Sequence, residues 1–344
     1  MKAIGYRPAS PLSAPDCFIE LERDPPVPTA HDLLVSVRAV SVNPLDTKVR
    51  NGSVTVGNDV DILGWDVAGT VQDVGSAVTL FRPGDDVYYA GSFGRSGGNA
   101  ELHVVDERIA GFKPASLTFT QAAALPLASL TAWELLFDRL GVIPGKLCNA
   151  GALLIIGGAG GVGSMLIQLA RRLTGLEVIA TASREVSRDW CLKLGAHHVI
   201  DHSKSMTEEL AAMNAPPITY IAALNQTARH WDAISAIIAP QGKVGVITDH
   251  DTLDATPLKA KSVSLHWEMV FTRPLFATPD MIAQHKILNE VASLIDAGQL
   301  RTTVSKELRP LDAASLREAH ALVEGGRVLG KIVLPGISSD TIGR

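Results

Sequence analysis

The feature that most constrains the fold is a short run of residues, mostly glycine, between an apolar strand and a helix: Gly157-Gly158-Ala159-Gly160-Gly161-Val162-Gly163. The preceding residues 152–156 are all apolar, which is typical of a buried strand, and residues 164–173 carry apolar side chains at helical spacing. The run therefore has the spacing G-x-G-x-x-G at a strand-to-helix turn, the context in which this pattern has physical meaning. Without that context the glycines would indicate only a tight turn.

Each glycine of the pattern has its own predicted role. Gly158 allows the tight turn, Gly160 lets the backbone approach a pyrophosphate, and Gly163 permits close packing of the helix on the strand. The free N–H groups and the partial positive charge of the helix amino terminus attract an anion. The predicted phosphate-binding residues of the turn are Gly158, Ala159, Gly160, Gly161, Val162 and Gly163.

Strands and helices alternate from this turn onward. After a predicted helix at residues 129–140, strands are predicted at residues 152–156, 177–181, 198–200, 219–223, 243–247 and 264–267. Helical stretches separate the first five of these strands. This rhythm predicts an α/β fold with a doubly wound, parallel, six-stranded Rossmann sheet, and it favours a nucleotide over a mere tight turn as the reason for the glycines.

The first part of the chain has a different pattern. Residues 1–124 contain short runs of nearly alternating polarity, clearest at residues 33–40, 66–74 and 86–90. Proline, glycine and aspartate separate these runs, as is typical of turns between strands. We therefore predict a mainly β domain, in the form of a small barrel or sandwich.

The end of the chain is too short for a third domain. Two helices and one strand are predicted after the last strand of the parallel sheet, at residues 278–297, 312–324 and 331–334. These elements are expected to complete the β domain. We therefore predict one domain from residues 1–124 and 269–344, and a cofactor-binding domain from residues 125–268.

Charge and hydropathy exclude several classes of partner. The formal net charge is −5, and no run of lysine and arginine could neutralise phosphates in series, so we expect no nucleic acid partner. Apolar stretches are too short to cross a bilayer, and the amino terminus does not resemble a signal peptide. We expect a cytoplasmic protein with a small-molecule substrate and no membrane association.

Cysteine and histidine positions argue against a metal site. The three cysteines, Cys17, Cys148 and Cys191, lie far apart and form no C-x-x-C pair, so neither disulfides nor a cysteine-rich metal site is expected. One cluster of histidine and aspartate, at residues 197–202, spans a predicted strand, and a strand sends neighbouring side chains to opposite faces. We predict no bound metal.

The second strand of the parallel sheet indicates which nicotinamide cofactor is bound. It runs into Ser183 and Arg184, and no acidic residue stands at its end to bind the ribose 2′-hydroxyl of NADH. Ser183 can donate a hydrogen bond to a 2′-phosphate, and Arg184 can pair with it, so NADPH is favoured over NADH. The alternative is that Arg184 is a solvated charge at the start of a helix.

Five further segments carry a recognisable pattern: Ser41-Val42-Asn43-Pro44-Leu45-Asp46-Thr47, Leu63-Gly64-Trp65-Asp66-Val67-Ala68-Gly69, Phe81-Arg82-Pro83-Gly84-Asp85-Asp86-Val87, Leu125-Pro126-Leu127-Ala128-Ser129-Leu130-Thr131-Ala132-Trp133 and Gly330-Lys331-Ile332-Val333-Leu334. Together with the glycine turn they resemble the quinone oxidoreductase branch of the medium-chain dehydrogenase/reductase superfamily. This branch includes bacterial proteins labelled zinc-type alcohol dehydrogenase-like. The resemblance covers nearly the whole chain and implies a GroES-like β domain, a Rossmann domain and commonly a homodimer.

Three positions depart from the zinc enzymes of this superfamily. Those enzymes place a cysteine three residues before the aspartate that matches Asp46, and a histidine–glutamate pair after the glycine that matches Gly64. This chain has Asn43, Trp65 and Asp66 at these positions. An amide and an indole therefore stand where a thiolate and an imidazole would bind zinc. A zinc label on this protein would come from its family and not from its ligands.

Without a metal, the resemblance implies hydride transfer from NADPH to a carbon that is already electrophilic, in a quinone or an α,β-unsaturated carbonyl. By resemblance, Asn43 lies beside the nicotinamide and hydrogen-bonds the substrate oxygen or the cofactor ribose. Asp46 and Thr47 would line the same side of the substrate site as Asn43. A plainer interpretation is that Asn43 and Asp46 cap the turn at Pro44.

Four other residues are candidates for the site. By resemblance, Thr131 contacts the nicotinamide carboxamide, and Lys331 lies near the cofactor phosphates. Tyr88 or Tyr89 could donate a proton to the product, although adjacent strand residues face opposite ways, so at most one of them can point to the site.

Two other functions are consistent with the same sequence. One is a zinc-dependent alcohol dehydrogenase, against which Asn43 and Trp65 argue. The other is a catalytically idle NADPH-binding protein with a structural or regulatory role, as some members of this superfamily are. An intact glycine turn is expected in either case, so measured turnover has to distinguish them.

Overall fold

The structure is a computed structural model, and it describes residues 1–57, 61–147, 151–249 and 252–338. The chain divides into two compact units. One consists of Met1–Leu130 and Phe271–Arg344, and the other of Thr131–Val270. The units therefore break at residues 130 and 270, whereas the sequence analysis placed domain boundaries after residues 124 and 268. Cys148 lies outside the described residues.

Strands dominate the first part of the chain and alternate with helices in the middle. The strands are β1 (Lys2–Tyr6), β2 (Phe18–Glu22), β3 (Asp32–Val42), β4 (Val67–Val74), β5 (Asp86–Tyr89), β6 (Leu102–Asp106), β7 (Ala110–Phe112), β8 (Ala152–Ile156), β9 (Glu177–Thr181), β10 (His198–Ile200), β11 (Ile218–Ala223), β12 (Lys243–Val246), β13 (Ser264–Trp267), β14 (Val304–Glu307) and β15 (Lys331–Pro335). The α-helices are α1 (Pro44–Arg50), α2 (Phe119–Ala123), α3 (Pro126–Trp133), α4 (Gly161–Leu173), α5 (Glu185–Leu194), α6 (Met206–Ala212), α7 (Thr227–Ile237), α8 (Thr272–Leu275), α9 (Ala283–Asp296) and α10 (Ala313–Glu324). Within the described residues, no helix is long and apolar enough to cross a membrane.

The second unit is built on one parallel sheet with the strand order β10-β9-β8-β11-β12-β13. Strand β8 has β9 on one side and β11 on the other, so the strand order reverses there. Its five residues are apolar and at most 2% exposed, as expected for a strand that is covered on both faces. The predicted doubly wound, six-stranded sheet is confirmed, and every strand lies within one residue of its predicted bounds.

The predicted helix at residues 129–140 differs from the observed one. Helix α3 already begins at Pro126, because the fixed φ of proline suits the first helical turn. At Glu134 the chain changes to a π-helical turn that ends at Arg139. The sequence carries no signal for this wider turn, which places side chains five residues apart on one side.

The first unit contains a sheet with the order β14-β15-β3-β4-β5-β7, and β6 also pairs with β3. Strands β1 and β2 form a separate antiparallel pair. Strand β3 is the longest and pairs with β15, β4 and β6. The predicted mainly β domain is confirmed.

The register of this sheet brings three distant residues to one end of it. Strand β4 pairs antiparallel with β3 so that Val67 is opposite Val40. Strand β15 also pairs antiparallel with β3, with Ile332 opposite Val42. Residues 43, 66 and 331 therefore meet where β3 ends and where β4 and β15 begin.

Candidate active site

A buried lysine joins the polar residues at this end of the first unit's sheet. The Nζ atom of Lys331 donates hydrogen bonds to Oδ2 of Asp66 at 2.9 Å and to Oδ1 of Asn43. A third hydrogen bond goes to the backbone oxygen of Val42 at 3.3 Å. Lys331 and Asp66 are 4% and 0% exposed, so this ion pair is shielded from water. An ammonium has three N–H donors, and each of them has an acceptor in the protein here. The predicted place of Lys331 near the cofactor phosphates stays a prediction.

The side-chain amide of Asn43 is held from both sides. Its Nδ2 atom donates to Oδ2 of Asp66 at 2.9 Å and to the backbone oxygen of Trp65 at 3.4 Å. Its Oδ1 atom accepts from Lys331. Both N–H groups of the amide therefore have partners, and the side chain also accepts from the backbone N–H of Asp46 in a capping box. The orientation of the amide is therefore fixed, and Asn43 has no N–H group left to donate.

Asp66 lies at the centre of this cluster. Besides the bonds from Lys331 and Asn43, its Oδ1 atom accepts from the backbone N–H of Leu127 at 2.8 Å. Burial raises the pKa of Asp66, and the charge of Lys331 is the strongest opposing effect. Because every partner is a donor, the ionised carboxylate fits this site, whereas a protonated acid would lack an acceptor for its own hydrogen. The sequence analysis had considered Asp66 only as the match to the glutamate of the histidine–glutamate pair in the zinc enzymes.

Asp46 and Thr47 stabilise the helix start that follows β3. Asp46 accepts from the backbone N–H of Asn43 at 2.8 Å and from that of Gly64 at 2.9 Å. Thr47 donates to the backbone oxygen of Pro44 at 2.8 Å. Burial raises the pKa of Asp46 to about 6, although the two N–H donors and the nearby ammonium oppose the rise. These contacts support the interpretation that Asp46 caps the turn at Pro44. Its role in lining the substrate site stays a prediction.

The two tyrosines considered as proton donors are both fully buried. The hydroxyl of Tyr88 donates to the backbone oxygen of Leu288 at 2.6 Å, and that of Tyr89 is 3.0 Å from Nδ1 of His103. Burial raises the pKa of each phenol. Neither hydroxyl is exposed to a small molecule, so the suggestion that one of them protonates the product is not supported.

Three aromatic rings pack together, and one of them belongs to the residue before Asp66. Trp65, whose backbone oxygen contacts Asn43, has its ring centroid 5.5 Å from that of Phe93 and 6.3 Å from that of Phe271. The rings of Phe93 and Phe271 are stacked at 5.7 Å. Trp65 and Phe271 are buried, whereas Phe93 is partly exposed. The sequence analysis did not identify Phe93, because no local pattern marks it.

In the second unit, the glycine turn joins β8 to α4 as predicted. Gly160 is the N-cap of α4 in extended conformation, so the first N–H groups of the helix follow it directly. A Cβ atom on Gly163 would lie 2.4 Å from the backbone oxygen of Gly157 and 2.7 Å from backbone atoms of Gly158. Gly163 therefore permits the close packing expected of it.

The residue that makes the turn itself is Gly157 and not Gly158. Gly157 has φ of +90°, a conformation that side chains other than glycine rarely adopt, and its N–H donates to Oγ1 of Thr181 at 3.1 Å. A Cβ atom on Gly158 would lie 2.7 Å from Cβ of Ala180 and 3.2 Å from Sγ of Cys191. Gly158 is therefore required for packing against β9 and α5, which corrects the prediction that it allows the tight turn.

Two residues after β11 also lie at the glycine turn. A Cβ atom on Gly157 would approach Cβ of Asn225 within 3.3 Å. The next residue, Gln226, has φ of +48°, in the left-handed region that is strained for a side chain. These residues follow the strand beside β8 at the point where the strand order reverses, which is where open α/β sheets bind ligands. The sequence analysis missed them, although this rule could have found them.

The residues proposed to select the cofactor follow the neighbouring strand β9. Ser183 is exposed, and Arg184, the N-cap of α5, is partly exposed. Both therefore stand at the same edge of the sheet as the glycine turn, because the carboxyl ends of parallel strands share one edge. Thr131 lies in α3 and is 6% exposed. The roles assigned to these three residues stay predictions.

The residues at the zinc-ligand positions do not suit zinc. Trp65 offers only an indole N–H, which donates to the backbone oxygen of Ser92 at 3.2 Å. Asn43 and Asp66 direct their oxygens at the ammonium of Lys331, and that positive charge would repel a metal ion. Among the described residues, no group of three or more histidine, cysteine, aspartate or glutamate side chains could hold a metal.

Two protein families match separate parts of the chain. The alcohol dehydrogenase GroES-like domain matches residues 29–125, in the first unit. The zinc-binding dehydrogenase family matches residues 194–334, which include part of the parallel sheet and the strand that carries Lys331. The name of the second family thus implies a metal that the residues at positions 43, 65 and 66 do not suit.

Individual proteins resemble the chain over nearly its whole length. A solved structure from Rhizobium etli CFN 42, provisionally named a zinc-dependent alcohol dehydrogenase, is 50% identical with a TM-score of 0.94, and 98% of each chain is covered. The quinone oxidoreductase from Coxiella burnetii is 28% identical with a TM-score of 0.78, covering 97% of this chain and 98% of the other. A zinc-type alcohol dehydrogenase-like protein from Staphylococcus epidermidis is 37% identical, covering 97% of this chain and 99% of its own.

Proposed function

Because the chain belongs to the medium-chain dehydrogenase/reductase superfamily, we propose that it is an NADPH-dependent reductase of a quinone or an α,β-unsaturated carbonyl that works without catalytic zinc. The coarser conclusion, that it is an oxidoreductase, follows from the family and from its likeness to a quinone oxidoreductase. The observation that carries the finer proposal is the donor set at positions 43, 65 and 66, an amide, an indole and a carboxylate. Without a Lewis acid, the substrate must carry its own electrophilic carbon.

The cofactor part of the proposal rests on the second unit. The turn between β8 and α4 offers backbone N–H groups at a helix amino terminus, where the pyrophosphate of a dinucleotide would be held. Ser183 and Arg184 would bind the 2′-phosphate that distinguishes NADPH from NADH. By resemblance, Thr131 would contact the carboxamide. When bound, NADPH supplies the hydride.

The substrate part of the proposal rests on the first unit. Both N–H groups of the Asn43 amide have partners in the protein, so Asn43 would not donate a hydrogen bond to a substrate carbonyl oxygen. The partly exposed ring of Phe93, supported by Trp65 and Phe271, offers a flat apolar surface to a planar ring. The proton that completes a hydroquinone can come from water, so no buried tyrosine is needed. These features favour a quinone, as in the relative from Coxiella burnetii.

Initial rates test this function directly. We expect purified protein to oxidise NADPH with 1,4-naphthoquinone or trans-2-hexenal as acceptor, faster than NADH, and with the same rate after treatment with a zinc chelator. A rate that collapses on chelation would favour the zinc-dependent alcohol dehydrogenase. Binding of NADPH without turnover on either acceptor would favour the idle binding protein.

Arg184→Ala is expected to remove the preference for NADPH. Losing one charge-assisted hydrogen bond to the 2′-phosphate should raise KM for NADPH roughly 10- to 100-fold and leave KM for NADH unchanged. Steady-state kinetics with both cofactors measures this. The control is Arg172→Ala, an exposed arginine at the end of α4, which should change neither KM. Unchanged KM values for both cofactors would mean that Arg184 is only a solvated charge, and equal increases for both would contradict a contact specific to the 2′-phosphate.

The assembly and location of the protein belong to the same proposal. By resemblance, the chain would form a homodimer that acts on a small molecule in the cytoplasm. The free thiols of Cys17 and Cys191, which are both buried, suit a reducing compartment. We expect no nucleic acid partner because the net charge is −5.

A further inference from the structure

One residue of the neighbouring strand holds the beginning of the glycine turn between β8 and α4. Thr181 is the last residue of β9 and is 1% exposed. Its Oγ1 atom accepts a hydrogen bond from the N–H of Gly157 at 3.1 Å, and its backbone oxygen accepts from the N–H of Gly158 at 3.3 Å. The first two N–H groups of the turn therefore both have Thr181 as their acceptor.

These two hydrogen bonds differ in what they require of position 181. The bond to Gly158 uses a backbone oxygen, which every residue type provides. The bond to Gly157 needs a side-chain oxygen next to Cβ, which threonine and serine provide. Valine has nearly the shape of threonine but no acceptor. The residue type at position 181 thus decides whether the N–H of Gly157 has a partner.

The N–H groups later in the turn fall into a second set. The N–H of Gly160 still donates within the turn, to the backbone oxygen of Gly157 at 3.3 Å. Within the part of the chain that the structure describes, the N–H groups of Gly161, Val162 and Gly163 donate to no protein atom. They belong to the first turn of α4, where free N–H groups and the helix dipole attract an anion. The turn thus keeps its first N–H groups for itself and leaves the later ones to a ligand.

We infer that Thr181 is a positioning residue for the pyrophosphate of the dinucleotide, an inference that rests on the proposed function. Glycine has more conformational freedom than any other residue, so a turn made mostly of glycine would adopt many conformations if its start were not fixed. The Thr181 hydroxyl fixes Gly157 and thereby sets where the free N–H groups of α4 stand. Binding then costs less ordering of the chain.

This role differs from the one proposed for Arg184. NADPH and NADH carry the same pyrophosphate, and they differ in the 2′-phosphate. Thr181 therefore strengthens the binding of both cofactors by the same factor, whereas Arg184 selects between them.

Calorimetric titration of two Thr181 variants with NADPH and with NADH tests the positioning role. Thr181→Val removes the acceptor and should raise Kd for both cofactors equally, roughly tenfold. Thr181→Ser keeps the hydroxyl and should restore Kd to within about twofold of the wild type. All titrations are made well below the Tm of each variant, so that every protein is folded.

The matched control for lost stability is Thr174→Val at the other end of α4. Thr174 is 2% exposed, and its hydroxyl accepts from the backbone N–H of Leu176 at 3.2 Å and donates to the backbone oxygen of Ala170 at 2.7 Å. Removing it should lower Tm by at least as much as Thr181→Val does and leave Kd unchanged.

Several binding results would overturn the inference. An unchanged Kd in Thr181→Val would do so, and so would a failure of Thr181→Ser to restore Kd. A rise for NADPH alone would indicate a contact with the 2′-phosphate instead of the pyrophosphate. An equal rise of Kd in Thr174→Val would show that affinity only follows stability.

Amide hydrogen exchange tests the hydrogen bond without any cofactor. In protein labelled with ¹⁵N-glycine, the Gly157 amide should exchange at least about tenfold faster in Thr181→Val than in the wild type or in Thr181→Ser. The Gly158 amide should stay protected in all three, because its acceptor is backbone. Equal exchange of Gly157 in all three proteins would overturn the hydrogen bond. A wild type that protects Gly157 but binds neither cofactor would overturn the positioning role together with the proposed function.

Discussion

Gly163→Ala is expected to destabilise the second unit by about 3 kcal/mol or more and thereby to abolish cofactor binding. The added Cβ would lie 2.4 Å from the backbone oxygen of Gly157 and 2.7 Å from backbone atoms of Gly158. These atoms belong to the turn between β8 and α4, and they cannot move aside as a flexible side chain would. The start of α4 would therefore have to shift away from the strand.

Gly160→Ala is the matched control in the same turn. Gly160 has φ of −75°, which alanine adopts without strain, and the nearest atom to its added Cβ would be the Gly157 oxygen at 3.7 Å. The variant should fold with nearly unchanged Tm. If the pyrophosphate approaches the backbone at Gly160, the added methyl group should still weaken NADPH binding at least about tenfold.

Thermal unfolding and calorimetric titration with NADPH separate these two effects. Gly163→Ala should lose stability, whereas Gly160→Ala should lose only affinity. A stable Gly163→Ala variant would show that α4 does not need its close contact with β8. Full NADPH affinity in Gly160→Ala would contradict the place given to the pyrophosphate.

Unfolding stability is expected to fall as pH rises from about 5 to 8, and Glu268→Gln should remove part of this dependence. Two carboxyl groups, Glu134 in the π-helical turn and Glu268 just after β13, have side chains with 0% exposure. One cation faces both: Arg139 lies 2.8 Å from Glu268 and 3.8 Å from Glu134. A single arginine cannot compensate two buried negative charges, so the pair keeps a proton.

The sign of this effect follows from the pKa shift. Burial, followed by the charge of Glu134, raises the pKa of Glu268 from 4.5 to about 8, although Arg139 opposes the rise. Between these two pH values the folded protein holds a proton that the unfolded chain has released. The contribution of this carboxyl to stability is therefore complete below pH 4.5 and decreases by up to roughly 1.4 kcal/mol per pH unit until it is lost above about pH 8.

Tm measured from pH 5 to 9 on the wild type and on Glu268→Gln tests this prediction. The amide cannot ionise, so the variant should gain stability relative to the wild type as pH rises. Other buried groups, such as Asp46 with its pKa raised to about 6 and His103 with its pKa lowered to about 4, are common to both proteins and cancel in the comparison. Glu318→Gln, at an exposed carboxyl, is the control. Parallel curves for wild type and Glu268→Gln would contradict the prediction.

Local patterns accounted for most of the second unit. The bounds of its six strands follow from runs of apolar residues, and the glycine turn follows from its spacing between a strand and a helix, because both depend on residues close together in sequence. The same approach missed Asn225 and Gln226, and it assigned the tight turn to Gly158 instead of Gly157. A sequence pattern shows that a turn needs glycine, but the backbone angles decide which glycine adopts the left-handed conformation.

The first unit depended more on long-range pairing. Its sequence indicated short strands and the positions where zinc ligands are missing, but Asn43, Asp66 and Lys331 were considered for separate roles. They meet because β3 pairs with both β4 and β15 in one register. A shift of one residue would turn the side chains of a strand to the other face, and packing across the whole sheet selects the register.

The amino-acid sequence alone therefore determined the two kinds of domain, the glycine turn and the family. Each of these features depends on short segments, whose residues and spacing can be compared directly with known patterns. The cation beside Asn43 was decided by the folded chain. The two charges that form it are 265 residues apart, and only the sheet of the first unit brings them to 2.9 Å and excludes water from both.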